Sequence, residues 1–304
     1  MLPNFIIGGT SAGGTSFLTS ILLQHGDIYL PKKMRPEPHF FYYTHKYTNG
    51  IEWYKQEWFS EYAGQKAVGE RSSSYLYHEN SALRIKQHLP DVKLIFVLRH
   101  PTERAWANYR YTVLSGLEEL DFEEALRLES KRIEEEVGIW QEVQPHDYTG
   151  RSYYGKQIEF YLKLFPFSQI LLISSEKLNN DTQNQINRIT DFLEIERLEN
   201  FDIPVTFTSL SVNEPRVQAQ CRMDLGGDKF NLIIESIRRK EDDLSIYAAN
   251  EEELRVIEKL KNNLSDKKQP LLASTRDKLN NLFADDQKKL FSLVKNHVDF
   301  EPWL

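Results

Sequence analysis

Apolar positions along the chain follow two alternating patterns. Short, mostly unbroken apolar runs recur at Phe5–Gly8, Leu94–Leu98 ("LIFVL") and Ile170–Ile173 ("ILLI"), with a weaker one at Ala67–Glu70. Such runs predict strands buried on both faces, as in a parallel sheet. Between them the apolar residues recur at helical spacing over Thr15–Gln24, Asn80–His88, Pro101–Ser115, Phe122–Val137 and Tyr153–Leu164. Strands alternating with helices predict βαβ units with right-handed crossovers. The fold class is therefore α/β, a central, mainly parallel sheet flanked by helices.

Beyond about Glu214 the pattern turns helical and polar, with apolar positions at helical spacing in Phe230–Ile237 and Leu254–Leu264. Residues 264–275 ("LSDKKQPLLAST") read as a surface connection. This predicts one domain, 1–304, with a helical C-terminal elaboration in which 217–275 is an insertion or a lid. The stretch from Phe122 is laced with charge and predicts a helix with a solvated face.

Composition narrows the function classes. Forty per cent of the 304 residues are apolar, enough for a substantial core. A net charge of −7 argues against a general nucleic-acid binder, so an anion site has to be a local cluster of Lys and Arg. The single cysteine, Cys221, excludes an internal disulfide framework and suits a reducing compartment. No leader-like or membrane-spanning run stands out, so the expectation is a soluble, cytoplasmic protein without a membrane role.

The segment "FIIGGTSAGGTS" (Phe5–Ser16) joins an apolar strand, a glycine-rich turn and a helical pattern. Glycines let successive backbone N–H groups point inward, and the helix that follows adds the positive end of its dipole. Gly8 and Gly13 have the spacing of a Walker A loop, but Gly14 stands where its lysine would be. A second segment, "LPKKMRPEPHFFYY" (30–43), places Glu37 between Pro36 and Pro38, which hold its backbone extended. A carboxylate oriented in advance suits a general base. Lys32, Lys33 and Arg35 precede it, and His39 follows two residues on. In a third segment, "LIFVLRHPTERAWANYRY" (94–111), Arg99 falls at the carboxyl end of the strongest strand, where open α/β sheets bind ligands. Pro101 starts a helix that carries Asn108, and Arg104 is the arginine of the pair expected to be structural.

Together these motifs resemble those of the sulfotransferase superfamily that uses 3′-phosphoadenosine 5′-phosphosulfate (PAPS), in its heparan-sulfate-type and bacterial carbohydrate branch. The likeness rests on Ile6-Ile7-Gly8 with Gly13-Gly14-Thr15, on Glu37-Pro38-His39-Phe40-Phe41, and on Leu98, Arg99, Pro101, Glu103, Arg104 and Ala105. It continues through Arg151-Ser152-Tyr153-Tyr154 and Phe165-Pro166 to Phe300-Glu301-Pro302-Trp303.

That resemblance implies a P-loop-like, three-layer α/β fold and a sulfuryl transfer from PAPS, leaving the bisphosphate PAP, to a hydroxyl or less readily an amine. The acceptor would be a carbohydrate or small metabolite, and no metal would be needed. Glu37 would be the base, with His39 and Arg35 beside it. Ser11, Ala12, Gly13, Gly14, Thr15 and Ser16 would hold the 5′-phosphosulfate and Arg99 the 3′-phosphate, with Asn108 expected to donate in place of the family's 3′-phosphate serine. Glu70 and Arg71, in "GERSSSYLY" (69–77), would line the acceptor cleft.

Two positions depart from the family. The loop is one residue longer, so its catalytic lysine aligns with Ala12 or Ser11, and the 3′-phosphate serine aligns with Ala107. A cation from Lys32, Lys33, Arg35 or Arg71 is expected to replace the loop lysine, with Arg35 the first choice for its nearness to Glu37. The alternatives are a catalytically silent PAP-binding protein and a P-loop kinase or NTPase. Tyr42, Tyr43, Trp53, Tyr54 and Trp58 form either a sugar-stacking wall or part of the core.

Overall fold

Five short strands assemble into one sheet, four of them on the apolar runs. In the computed structural model, which describes residues 1–31, 36–203, 210–241, 243–267, 269–295 and 303, these are β1 (Phe5–Gly9), β2 (Ile28–Tyr29), β3 (Ala67–Arg71), β4 (Lys93–Leu98) and β5 (Ile170–Ser174). They lie in the order β2-β3-β1-β4-β5, and every neighbouring pair is parallel. Strand β2 was not anticipated, because two residues carry no period. All five positions of β1 and of β3 are buried, as a strand covered on both faces requires.

Alternation along each strand divides the core between the two faces. Ile6, Leu94, Phe96 and Leu98 pack on one side with Tyr154, Ile158 and Tyr161. Phe5, Ile7, Ile95 and Val97 pack on the other with Leu18 and Ile21 of helix α1 (Thr15–Leu22) and with Ile186 and Ile189. A side-chain period of two along a strand produces this split directly.

The predicted helices form at Glu79–His88, Pro101–Leu114, Phe122–Glu135 and Tyr154–Leu164, each within two residues of its expected start and end. Asp121 begins the charged helix by accepting from Glu124 N–H at 2.9 Å. Additional helices at Ile51–Phe59 and Thr182–Leu193 escaped the sequence pattern, while Pro215–Leu225 opens the helical stretch expected beyond Glu214.

The chain divides into two compact units. One comprises Met1–Arg104, Gly150–Pro204 and Asn280–Leu304, and holds the sheet; the other comprises Ala105–Thr149 and Val205–Leu279. The 217–275 segment falls within the second unit. There, helices Pro215–Leu225, Gly227–Arg238 and Glu251–Asn262 accompany an antiparallel pair, β6 (Ser211–Val212) and β7 (Leu264–Ser265). Residues 264–275 are therefore not a plain connection: Leu264 pairs with Val212, and a helix starts at Ala273.

Candidate active site

Strand register brings the loop after β1 and the end of β3 together. Ile7 lies opposite Arg71 in the parallel pair, so both strands deliver their carboxyl ends to the same edge. The β1 chain then turns through Thr10–Gly14 into α1. Gly13 N–H donates back to Thr10 O at 2.9 Å, and a Cβ at Gly13 would lie 2.5 Å from Val97 O. Only glycine fits there. Gly14 adopts φ +101°, a left-handed conformation that favours glycine, and caps α1 without any side-chain hydrogen bond. The first N–H groups of α1 are thus left to whatever binds at its N-terminus, and no acidic residue occupies that turn.

The other expected loop residues surround this turn. Ser11 Oγ lies 3.3 Å from Ser73 Oγ, and Thr15 is buried. Ala12 O accepts from Arg99 Nη1 at 3.4 Å, so the arginine after β4 reaches the loop. Ser16, exposed in the first turn of α1, accepts from Arg71 Nη1 at 2.5 Å. Asn108 belongs to the second unit, where its amide donates to Thr112 Oγ1 at 3.4 Å.

Glu37 meets the same guanidinium. Its Oε1 pairs with Arg71 Nη1 at 3.1 Å, while its Oε2 accepts from Ser73 N–H at 2.7 Å and Ser73 Oγ at 2.9 Å. Lys46 Nζ fixes the adjacent backbone by donating to Pro38 O at 2.7 Å and Glu37 O at 3.3 Å. Arg71 is only 5% exposed at its side chain and Glu37 14%. Burial works against the Glu37 charge, but interaction with His39 first, then the Arg71 guanidinium and the Ser73 donors, outweigh it and hold the carboxyl below its usual range.

His39 sits 3.2 Å from Glu37 Oε2 through Nε2. Burial lowers its pKa to about 4, with Lys46, Arg151 and Arg71 adding to the effect against the pull of Glu37. At neutral pH the ring is therefore uncharged, and the Glu37 carboxylate selects the tautomer that donates from Nε2. Its Nδ1 has no hydrogen-bond partner among the described residues.

Several expectations take a definite place. Arg104 is fully buried and donates from Nε to Ser152 Oγ at 2.6 Å, the structural role expected of it. Tyr42, Tyr54 and Trp58 are buried core residues, with Tyr43 and Trp53 packed against them, so these aromatics build the core. Glu70 has no exposed surface and faces Tyr54, Tyr75 and Ser72. Arg35, with Lys32 and Lys33, lies outside the described residues. Trp303 donates from Nε1 to Glu176 Oε2 at 3.0 Å.

Sequence reasoning missed Ser73, Ser72 and Lys46. Each is an ordinary polar residue whose importance depends on a partner 8 to 36 positions away. Arg71 was one of the four cations expected near the loop, behind Arg35, and the register of β3 against β1 is what brings it there.

Residues 2–240 match the family described as sulfotransferase domain. Human heparan sulfate glucosamine 3-O-sulfotransferase 3B1 is 32% identical over 197 residues, covering 65% of this chain and 47% of the relative. The membrane-associated sulfotransferase kil1 of Dictyostelium discoideum is 37% identical over 114 residues, covering 37% of this chain and 23% of the relative. The crystal structure of a sulfotransferase from Alicyclobacillus acidocaldarius superposes with a TM-score of 0.67 at 24% identity, covering 99% of this chain and 98% of that one. The chain spans about half the length of the heparan sulfate relatives it matches.

These relatives overturn the cytoplasmic expectation. They include enzymes named for heparan sulfate and one named as membrane-associated, which points away from that compartment. The lone cysteine misled for a physical reason: one thiol forms no internal disulfide in either an oxidising or a reducing compartment. Cys221 is simply buried, with its thiol pushed up by burial. Among the described residues no helix is long and apolar enough to cross a membrane.

Proposed function

The chain belongs to the sulfotransferase family, and we propose that it moves the sulfuryl group of PAPS to a hydroxyl of a carbohydrate acceptor. The observation that carries this is the contact chain Ser16–Arg71–Glu37, which joins the anion-binding loop to a base through one buried guanidinium. The glycine turn suits the phosphosulfate end of the donor. It offers backbone N–H groups, a helix N-terminus and no room for a side chain at Gly13. Arg99, reaching the loop at Ala12 O, suits the 3′-phosphate.

Sulfuryl transfer is an in-line displacement at sulfur. The acceptor oxygen forms a bond to sulfur as the bond from sulfur to the bridging phosphate oxygen breaks, and PAP departs with that electron pair. Glu37, held ionised, takes the acceptor hydroxyl's proton. Neutral His39 holds the carboxylate from the side of Oε2, and Ser73 fixes the same oxygen from its backbone and side chain. Arg71 supplies positive charge between the base and the loop, where negative charge grows on the departing phosphate. Arg71 is thereby favoured for the charge that Ala12 cannot carry.

The heparan sulfate relatives named above support a carbohydrate acceptor. Transfer of labelled sulfate from PAPS to heparan sulfate oligosaccharides is the direct test. Thermal-shift titration then separates donors: PAP is expected to stabilise the protein more than ATP does, and the reverse order would refute the donor. Ala12 in place of the loop lysine favours a second reading, a silent PAP-binding protein. That protein would show the PAP shift with no label transferred to any acceptor.

A further inference from the structure

Successive residues of β3 face opposite sides of the sheet, so Arg71 turns toward the loop while Glu70 turns into the aromatic half of the core. Three hydroxyls converge on the Glu70 carboxyl. Tyr54 and Tyr75 donate to Oε1 at 2.9 and 2.8 Å, and Ser72 Oγ donates to Oε2 at 2.6 Å. A carboxylate can only accept, so it fixes the direction of all three protons.

Two of these hydroxyls reach further. Ser72 Oγ accepts from His39 N–H at 2.8 Å, and Tyr75 OH accepts from Phe41 N–H at 3.2 Å. The backbone that follows Glu37 is thus tied to Glu70 through two hydroxyl bridges. His39 needs such a tether, because it holds φ at +48°, a left-handed conformation unfavourable to a non-glycine residue. With no exposed surface, Glu70 is itself out of reach of an acceptor.

We infer that Glu70 is a positioning residue, which through Ser72 and Tyr75 sets the backbone of residues 39–41 and so the direction in which Glu37 and His39 are presented.

The groups facing Glu70 are Tyr54 from helix Ile51–Phe59, Tyr75 and Ser72 beyond β3, and the charge of Glu37. Burial pushes the Glu70 carboxyl up to about 7 against the three hydroxyl donors, and Glu37 adds to the rise. Both tyrosines are held well above their ordinary range by burial and by Glu70, so they remain neutral donors. Oε1 accepts twice and Oε2 once, so a proton on Glu70 takes the remaining lone-pair site of Oε2 and leaves the three bridges in place.

The inference rests on the proposed reaction only for its kinetic arm, so the test begins without substrate. Hydrogen–deuterium exchange is measured at residues 39–43 in the wild type, Glu70→Gln and Ser72→Ala. Exchange there is expected to rise about fivefold or more in both variants, with β1 and β4 unchanged. In the wild type, after correction for intrinsic rates, it is expected to rise as pH climbs through about 7, where the buried carboxyl loses its proton, and Glu70→Gln is expected to lose that response. In the transfer assay, Glu70→Gln is expected to lower kcat about tenfold while KM for PAPS holds within about twofold. Unchanged exchange at 39–43 overturns the inference, and so does an increase spread evenly over the chain. A wild type that transfers no sulfate would refute the reaction while the exchange arm still decides the role of Glu70.

Discussion

Removing the Arg71 charge is expected to reduce turnover far more than donor binding. At 3.1 Å from Glu37 Oε1, the pair has a Coulomb energy of about 5 kcal/mol at an effective dielectric of about 20, before the cost of desolvating both groups. Ser16 lies within hydrogen-bond reach of the same guanidinium, so negative charge arriving in the loop meets an interaction of that order. Losing one group that stabilises developing charge typically costs about 3–4 kcal/mol, or about 10²–10³ in rate. Arg71→Ala should therefore lower kcat about 10²–10³-fold. Arg71→Lys, which keeps the charge and loses the fork, should lower it about tenfold. The acid limb of kcat/KM should also move to higher pH in Arg71→Ala, because Glu37 loses a group that holds its carboxyl low. The decisive arm relocates the charge: Ala12→Lys in the Arg71→Ala background should recover about tenfold of the loss. Labelled-sulfate transfer under saturating PAPS measures kcat, and the PAP thermal shift reports loop integrity in each variant. Arg71→Ala turnover within about twofold of the wild type, with the PAP shift intact, would refute the reasoning.

Other perturbations separate the parts of the site. Glu37→Gln should lower turnover by about 10²–10⁴ and leave the PAP shift intact, since the base acts on the acceptor. Gly13→Ala should abolish that shift, because its Cβ would lie 2.5 Å from Val97 O and the loop has to move; circular dichroism should show the fold retained. His39 has a folded pKa of about 4, below its ordinary value, so its contribution to stability is complete above about pH 6.5 and is lost as pH falls toward 4. His39→Gln should remove about 2 kcal/mol of that acid-side dependence, read from urea unfolding at pH 7 and pH 5. Glu70 has the opposite sign: its pKa is raised to about 7, so its contribution is complete below its ordinary value near 4.5 and is lost as pH rises through 7. Glu70→Gln should accordingly flatten the neutral side of the same stability profile.

Much of the fold was legible because its strands are buried on both faces. "LIFVL" and "ILLI" cannot sit at a surface without exposing apolar side chains, and they form β4 and β5 with one residue added to each. Strand β2 is too short to show a period, and helix Ile51–Phe59 mixes its aromatic and charged positions. At the site, the glycine turn and Arg99 were legible for a local reason. A turn that excludes a Cβ, and a cation at a strand's carboxyl end, are properties of neighbouring residues.

Glu37 was legible as a base candidate, but its partners were not. Arg71 and Glu70 are adjacent in sequence and looked alike as acceptor-side groups. The fold separates them: one is a guanidinium between Ser16 and Glu37, the other a carboxylate enclosed by three hydroxyls.

The sequence by itself determined the backbone chemistry of this protein: the buried parallel strands, the loop without a lysine, and a carboxylate set between two prolines. Only the tertiary structure decided that Arg71 lies between Ser16 and Glu37. Local pattern specifies the side of a strand on which a residue emerges. What it meets there depends on the register of β3 against β1, and that register is set by the packing of the whole sheet.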